Sequence, residues 1–149
     1  MLMRYRRIFW GLLLLLAAGG VLADGPSVNA SHVWIREAPP GTEVMAGYLT
    51  LTNRTNHVLT LDRITSADFG EATLQRGTGQ NVKENMQTVK ALALPAHASV
   101  TLGTGGDHLV LMHPAKTFHV GDFVTLTITF SDGSSLSILA PVRRSPPPG

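Results

Sequence analysis

The chain has 149 residues, with 12 basic and ten acidic side chains, six histidines and no cysteine. Without cysteine there is no disulfide, no thiolate ligand and no thiol nucleophile, and any metal must be held by His, Met or oxygen. The formal net charge of +2 is carried by Arg4, Arg6 and Arg7; residues 24–149 hold nine basic and ten acidic residues, a balance that predicts no nucleic-acid partner.

Those three arginines precede an apolar run from Ile8 to Ala18, shorter than the roughly 18 residues a membrane-spanning helix needs. Gly19 and Gly20 interrupt it, and Val21-Leu22-Ala23 supplies the small residues of a cleavage site. Residues 1–23 are therefore predicted to be a signal peptide, with no membrane attachment after cleavage. No cysteine follows the run, so lipid attachment at that point is ruled out. The segment 24–142 is long enough for one domain with its own core, and residues 143–149, ending Ser145-Pro146-Pro147-Pro148-Gly149, are expected to form a disordered proline-rich tail. A periplasmic or secreted protein is the expectation.

Between the ends, Val44 to Thr52, Val58 to Ile64, Ala98 to Leu102, His108 to His113, Phe123 to Phe130 and Ser134 to Val142 are short runs rich in Val, Leu, Ile and Thr, which predict strands. In Val124 to Phe130 every second residue is large and apolar while Thr125, Thr127 and Thr129 face the other way, so one side is core and the other wet. Ser131-Asp132-Gly133 reads as a hairpin turn. With no helical period between the strands, an antiparallel β-sandwich or small barrel is expected.

Catalytic patterns are absent: there is no Gly-x-Ser-x-Gly elbow, no His-Glu-x-x-His and no phosphate-cradling loop. Carboxylate pairs such as Glu37 with Glu43, or Asp62 with Asp68, lie in turn-like sequence and read as surface charge. The expectation is a binding protein, not an enzyme. The histidines and the three methionines beyond the leader (Met45, Met86 and Met112) are the chemistry that stands out, because imidazole and thioether suit copper(I).

Val33-Trp34-Ile35-Arg36-Glu37-Ala38-Pro39-Pro40-Gly41, Gly47 to Asn53, Leu94-Pro95-Ala96, Gly105 to Met112 and Gly121 to Phe130, in this order, resemble the periplasmic copper chaperones built on the PCuAC domain. The resemblance implies a cupredoxin-like Greek-key β-sandwich that carries copper(I) and passes it to a copper-receiving protein, such as an assembly partner of a respiratory oxidase. The family's ligand pattern is His, ten residues, Met, twenty-one residues, His, one residue, Met. On this chain it falls on Gln75, Met86, His108 and Val110. Met86 and His108 are then the implied metal ligands, and Gln75 and Val110 are degenerate positions, since a carboxamide is a hard donor and valine offers none.

Strand alternation puts His108, Val110 and Met112 on one face, predicted exposed, and His113 on the other. Met112, about 13 Å along the strand from His108, reads as a packing residue or an outlying ligand. His32, on the expected first strand, is the remaining candidate replacement ligand, whereas His57, His97 and His119 fall at exposed turn-like positions. Two readings follow. One is a copper(I) chaperone with a weakened site; the other is a β-sandwich interaction module of the same family that binds no metal.

Overall fold

A computed structural model describes residues 26–77 and 87–149. The expected signal peptide and Met86 lie outside the described residues. Within them the chain forms ten strands and no helix: β1 (Val28–Arg36), β2 (Val44–Asn53), β3 (Leu59–Ser66), β4 (Phe69–Arg76), β5 (Gln87–Thr88), β6 (Leu92–Leu94), β7 (Ser99–Leu102), β8 (His108–Pro114), β9 (Phe123–Phe130) and β10 (Ser135–Arg143). They join in one curled sheet of order β5-β4-β8-β2-β1-β10-β9-β3-β6, with β7 also paired to β2. The all-β expectation holds. Every pairing is antiparallel except β1 with β10, where Ile35 faces Val142 and Arg36 faces Arg143. That parallel seam joins the two layers, and Glu37 N–H extends it by donating to the Arg143 carbonyl at 2.9 Å.

The core between the layers follows from side-chain alternation. Val124, Leu126, Ile128 and Phe130 of β9 point inward and are buried, opposite Leu49, Leu51, Leu109 and Leu111 among others of the second layer. Gly47 sits where β1, β2 and β8 come closest. A Cβ there would stand 2.9 Å from Ile35 Cδ1 and 3.2 Å from Leu109 Cβ, so glycine is needed for close packing. Asn53 is the one buried polar residue in the core of the described chain, and it is fully used. Its amide donates to the carbonyls of His57 and Leu94, while its Oδ1 accepts from Thr55 N–H and Oγ1–H. The predicted hairpin turn joins β9 to β10, with Gly133 at φ +82 and Asp132 Oδ1 accepting from Ser134 N–H and Oγ–H.

Strand β4 escapes the run-based reading because Phe69-Gly70-Glu71-Ala72-Thr73-Leu74-Gln75-Arg76 lacks β-branched density. It is a strand because Phe69 and Leu74 bury in the core and because it has β8 to pair with. In β1 the ladder to β2 shifts between Ser31 and Trp34, with His32 in the left-handed region at φ 51. This bulge re-aims the strand, after which Trp34 pairs with Tyr48 and faces outward alongside Arg36.

Candidate metal centre

Strands β4, β8, β2 and β1 lie side by side, and their registers align one row of outward side chains. Gln75 is directly opposite His108, the Tyr48 ring is 6.2 Å from the His108 ring, and Trp34 is opposite Tyr48 with ring centroids 4.7 Å apart. Arg36 places its guanidinium 5.6 Å from the Trp34 centroid and 5.7 Å from that of Tyr48, a cation–π contact with both. One pleat along, Thr73 and Ala46 flank Val110; two pleats along, Glu71 and Val44 flank Met112.

The turn before β8 orients His108. Gly106 N–H donates to the Gly103 carbonyl at 3.2 Å, Gly105 takes φ +83, and Arg76 pairs with Asp107 at 3.5 Å. His108 Nδ1 lies 2.9 Å from the Gly106 carbonyl. A carbonyl only accepts, so Nδ1 carries the proton and donates, leaving the Nε2 lone pair free to bind a metal. Gly77 at the end of β4 runs so close to this turn that a Cβ would stand 2.8 Å from the Gly106 carbonyl oxygen.

The candidates separate clearly. Gln75 and His108 are brought together, both half-buried. Val110 is on the face expected, but it is only 6% exposed, against the expectation of an open position. The reason is local: Ala46 and Thr73 stand on either side of it, and the chain leaving β1 runs past it, so that Arg36, Glu37, Ala38, Pro39, Ala46 and His108 line a depression of about 210 Å³ with it. Met112 stays two pleats from His108, half-buried. Exposed His32 lines a different depression, bordered by Trp34 and Tyr48. Met86 lies outside the described residues; Gln87, which follows it, opens β5 opposite Arg76, with Thr88 opposite Gln75. Among the described residues, no three His, Cys, Asp or Glu side chains gather as a metal site.

Tyr48, Trp34 and Arg36 also belong to this face, beyond the residues to which the ligand pattern points. The signal was present in β2, where Val44, Met45, Ala46, Tyr48 and Leu49 put apolar groups on both faces of a strand that has only one face toward the core.

Of the four carboxylates that read as surface charge, Glu37 and Asp68 hold neighbouring segments in place. Glu37 Oε2 accepts from Arg144 Nε–H at 2.8 Å, and Oε1 accepts from Val120 N–H at 3.2 Å with His119 Nδ1 at 3.8 Å. The hydrogen bond from Arg144, then that from Val120, holds the Glu37 carboxyl below its ordinary range. Asp68 Oδ2 accepts from Thr125 N–H at 2.7 Å and so ties the β3–β4 turn to β9.

A family model described as "Putative lipoprotein LpqE-like" matches residues 28–142. A relative named "Putative lipoprotein Lxx21020", from Leifsonia xyli subsp. xyli, is 29% identical over 125 residues, covering 83% of this chain and 73% of its own length. None of the 149 residues of this chain is a cysteine, so within them no thiol is available to a lipid. Among solved structures, the copper(I) form of DR1885 from Deinococcus radiodurans is 27% identical with a TM-score of 0.63, covering 86% of this chain and 84% of that one. The copper-bound PCuAC domain from PmoF2 (24% identical, TM-score 0.68, 80% and 94% covered) and the apo PCuAC domain from PmoF1 (22%, 0.69, 82% and 98%) have the same fold. With the family match spanning the domain from the first strand to the last, the chain belongs to the LpqE-like family and has the fold of a PCuAC domain.

Proposed function

We propose that this chain is an exported copper(I)-carrying protein, periplasmic or secreted, that holds copper through His108 and Met86 and passes it to a copper-receiving partner such as one assembling a respiratory oxidase. The observation that supports this most is the His108 imidazole. Its Nδ1 is engaged by the Gly106 carbonyl, its Nε2 has no hydrogen-bond partner among the described residues, and it stands opposite Gln75 at the edge of the depression beside Val110. The copper(I)-bound relative DR1885 supports copper as the cargo.

The donor set fits copper(I) in part. His108 offers an imidazole nitrogen and Met86 a thioether, both suited to a soft monovalent ion, whereas the Gln75 carboxamide is a poor match and Val110 gives nothing. Two donors hold the ion weakly. A weak site suits transfer, because the receiving protein completes the coordination with its own donors. Competition titration with copper(I) under reducing conditions tests the assignment: His108→Ala and Met86→Ala should each lower the affinity by roughly tenfold or more, a difference of about 1.4 kcal/mol or above. Unchanged affinity in both variants overturns it.

A second reading rests on Gln75 and Val110 standing where the family's pattern has donors. On it the chain is an interaction module that binds no metal, and the parent itself then fails to take up copper(I) in the same titration.

A further inference from the structure

Trp34 and Tyr48 belong to the outward row of their layer, yet they are only 3% and 8% exposed. Arg36 covers them from one side, at 5.6 and 5.7 Å. On the other side the wall is the C-terminus. Pro146 and Pro147 line, together with His32, Trp34, Tyr48 and Thr101 among others, a depression of about 180 Å³. Pro147 is half-buried, while Pro146 and Pro148 on either side of it are exposed.

We infer that the Trp34–Tyr48 face is a receptor for a proline-rich segment, and that its occupant is this chain's own tail, Ser145 to Gly149. Geometry brings the tail there. Strand β10 ends at Arg143, opposite Arg36 of the parallel β1, and Trp34 lies two residues back along β1, about 6.6 Å away. Arg144 and Ser145 form a bend, fixed by Arg143 Nε–H donating to the Ser145 carbonyl at 3.4 Å and by Arg144 gripping Glu37 at 2.8 Å. Those two residues are long enough to cover that distance and deliver Pro146 to the rings.

Chemistry favours the contact once the tail arrives. Three successive prolines have no N–H to pair, so they cannot continue the ladder of β10 and lose no hydrogen bond by leaving it. They are also held near an extended left-handed helix in the free chain, so docking on flat aromatic faces costs little conformational entropy. Tethering through two residues raises the local concentration of the segment, so a contact too weak to persist between separate molecules persists here. Tyr48 is the shared element: its ring touches the tail's depression on one side and the His108 ring on the other. The tail therefore shields the row next to the copper site proposed above, though its docking does not depend on any metal being bound.

Tryptophan emission tests this, because Trp10 and Trp34 are the only tryptophans. In the full chain carrying Trp10→Phe, all emission comes from Trp34 whether or not the leader is removed. Ending that chain after Arg144 should raise acrylamide quenching severalfold and shift the emission to the red, with the far-ultraviolet strand signal unchanged. Replacing Ser145 to Gly149 by a glycine–serine segment of equal length should leave Trp34 as quenchable as in the shortened chain. In the unaltered chain, nuclear Overhauser contacts are expected between the Trp34 indole and the Pro147 ring. Quenching unchanged by the truncation, a glycine–serine tail that protects as well as the prolines, or no Trp34–Pro147 contact each overturns the inference.

Discussion

The two layers of the curled sheet turn very different outer faces to their surroundings. On the β10–β9–β3 side hydroxyls fill one end of the outward face, with Thr127 between Ser137 and Thr65 and Thr129 between Ser135 and Arg63, while at the other end Leu139 and Phe123 stand open to solvent. On the β4–β8–β2–β1 side the row is Gln75, His108, Tyr48 and Trp34, with Val110 and Ala46 behind it, and much of it is out of contact with solvent. An outward face built for water alone needs only the hydroxyl pattern. What distinguishes the second face is that its aromatic groups, Trp34 and Tyr48, are covered and stand in one row with the His108 imidazole.

The largest effect expected from this contrast is in stability. Trp34→Ala should cost about 3–5 kcal/mol, as for a core aromatic, although Trp34 belongs to an outer face. Thr127→Ala, at an equally outward position of the other layer, should stay within about 0.5 kcal/mol. Urea unfolding measures both, and equal costs would erase the distinction between the faces.

A smaller effect sharpens the comparison at a polar group. Thr73 Oγ1 on the site face is buried with no hydrogen-bond partner among the described residues, whereas every polar atom of the Asn53 side chain is engaged. Thr73→Val keeps the shape and removes the unpaired hydroxyl, so stability should hold or rise by up to about 1 kcal/mol. A loss would show that the hydroxyl is engaged in solution.

The smallest effect concerns acid. Glu37 is held below its ordinary value of 4.5 by Arg144 and by the Val120 N–H. Its contribution is therefore fully present above that value and is lost as pH falls through the lower folded value. Glu37→Gln should flatten the acid limb of the stability–pH curve and leave neutral stability little changed, as thermal unfolding across pH 3 to 7 would record. An unaltered acid limb would mean that the clamp adds nothing.

Much of this was legible in the residues, and for identifiable reasons. The alternation of Val124 to Phe130 announced β9 because each inward residue is large and each outward one hydroxylated. The Ser131-Asp132-Gly133 turn was readable because its geometry demands a residue at positive φ. The opposition of Gln75 and His108 was implied by spacing within a resemblance, and no local rule yields it, since it depends on the register between β4 and β8. Val110 was misjudged as open because alternation tells which way a side chain points, not what lies over it. Its cover comes from Ala46 on another strand and from the segment after Arg36. The parallel seam of β1 with β10, from residues more than a hundred positions apart, left no local trace.

The central claim is that the row at His108 keeps the layout of a copper(I) site from which two donors are missing, and restoring those donors tests it most directly. Gln75→His replaces a half-buried polar residue, and Val110→Met extends into the depression of about 210 Å³ beside it. The pair should therefore cost under about 1.5 kcal/mol in stability. If the layout persists, a copper(I) competition titration should show the double variant binding roughly 100-fold or more tighter than the parent, as one imidazole and one thioether join His108 and Met86. A double variant that folds normally and binds copper(I) no better than the parent would contradict the account.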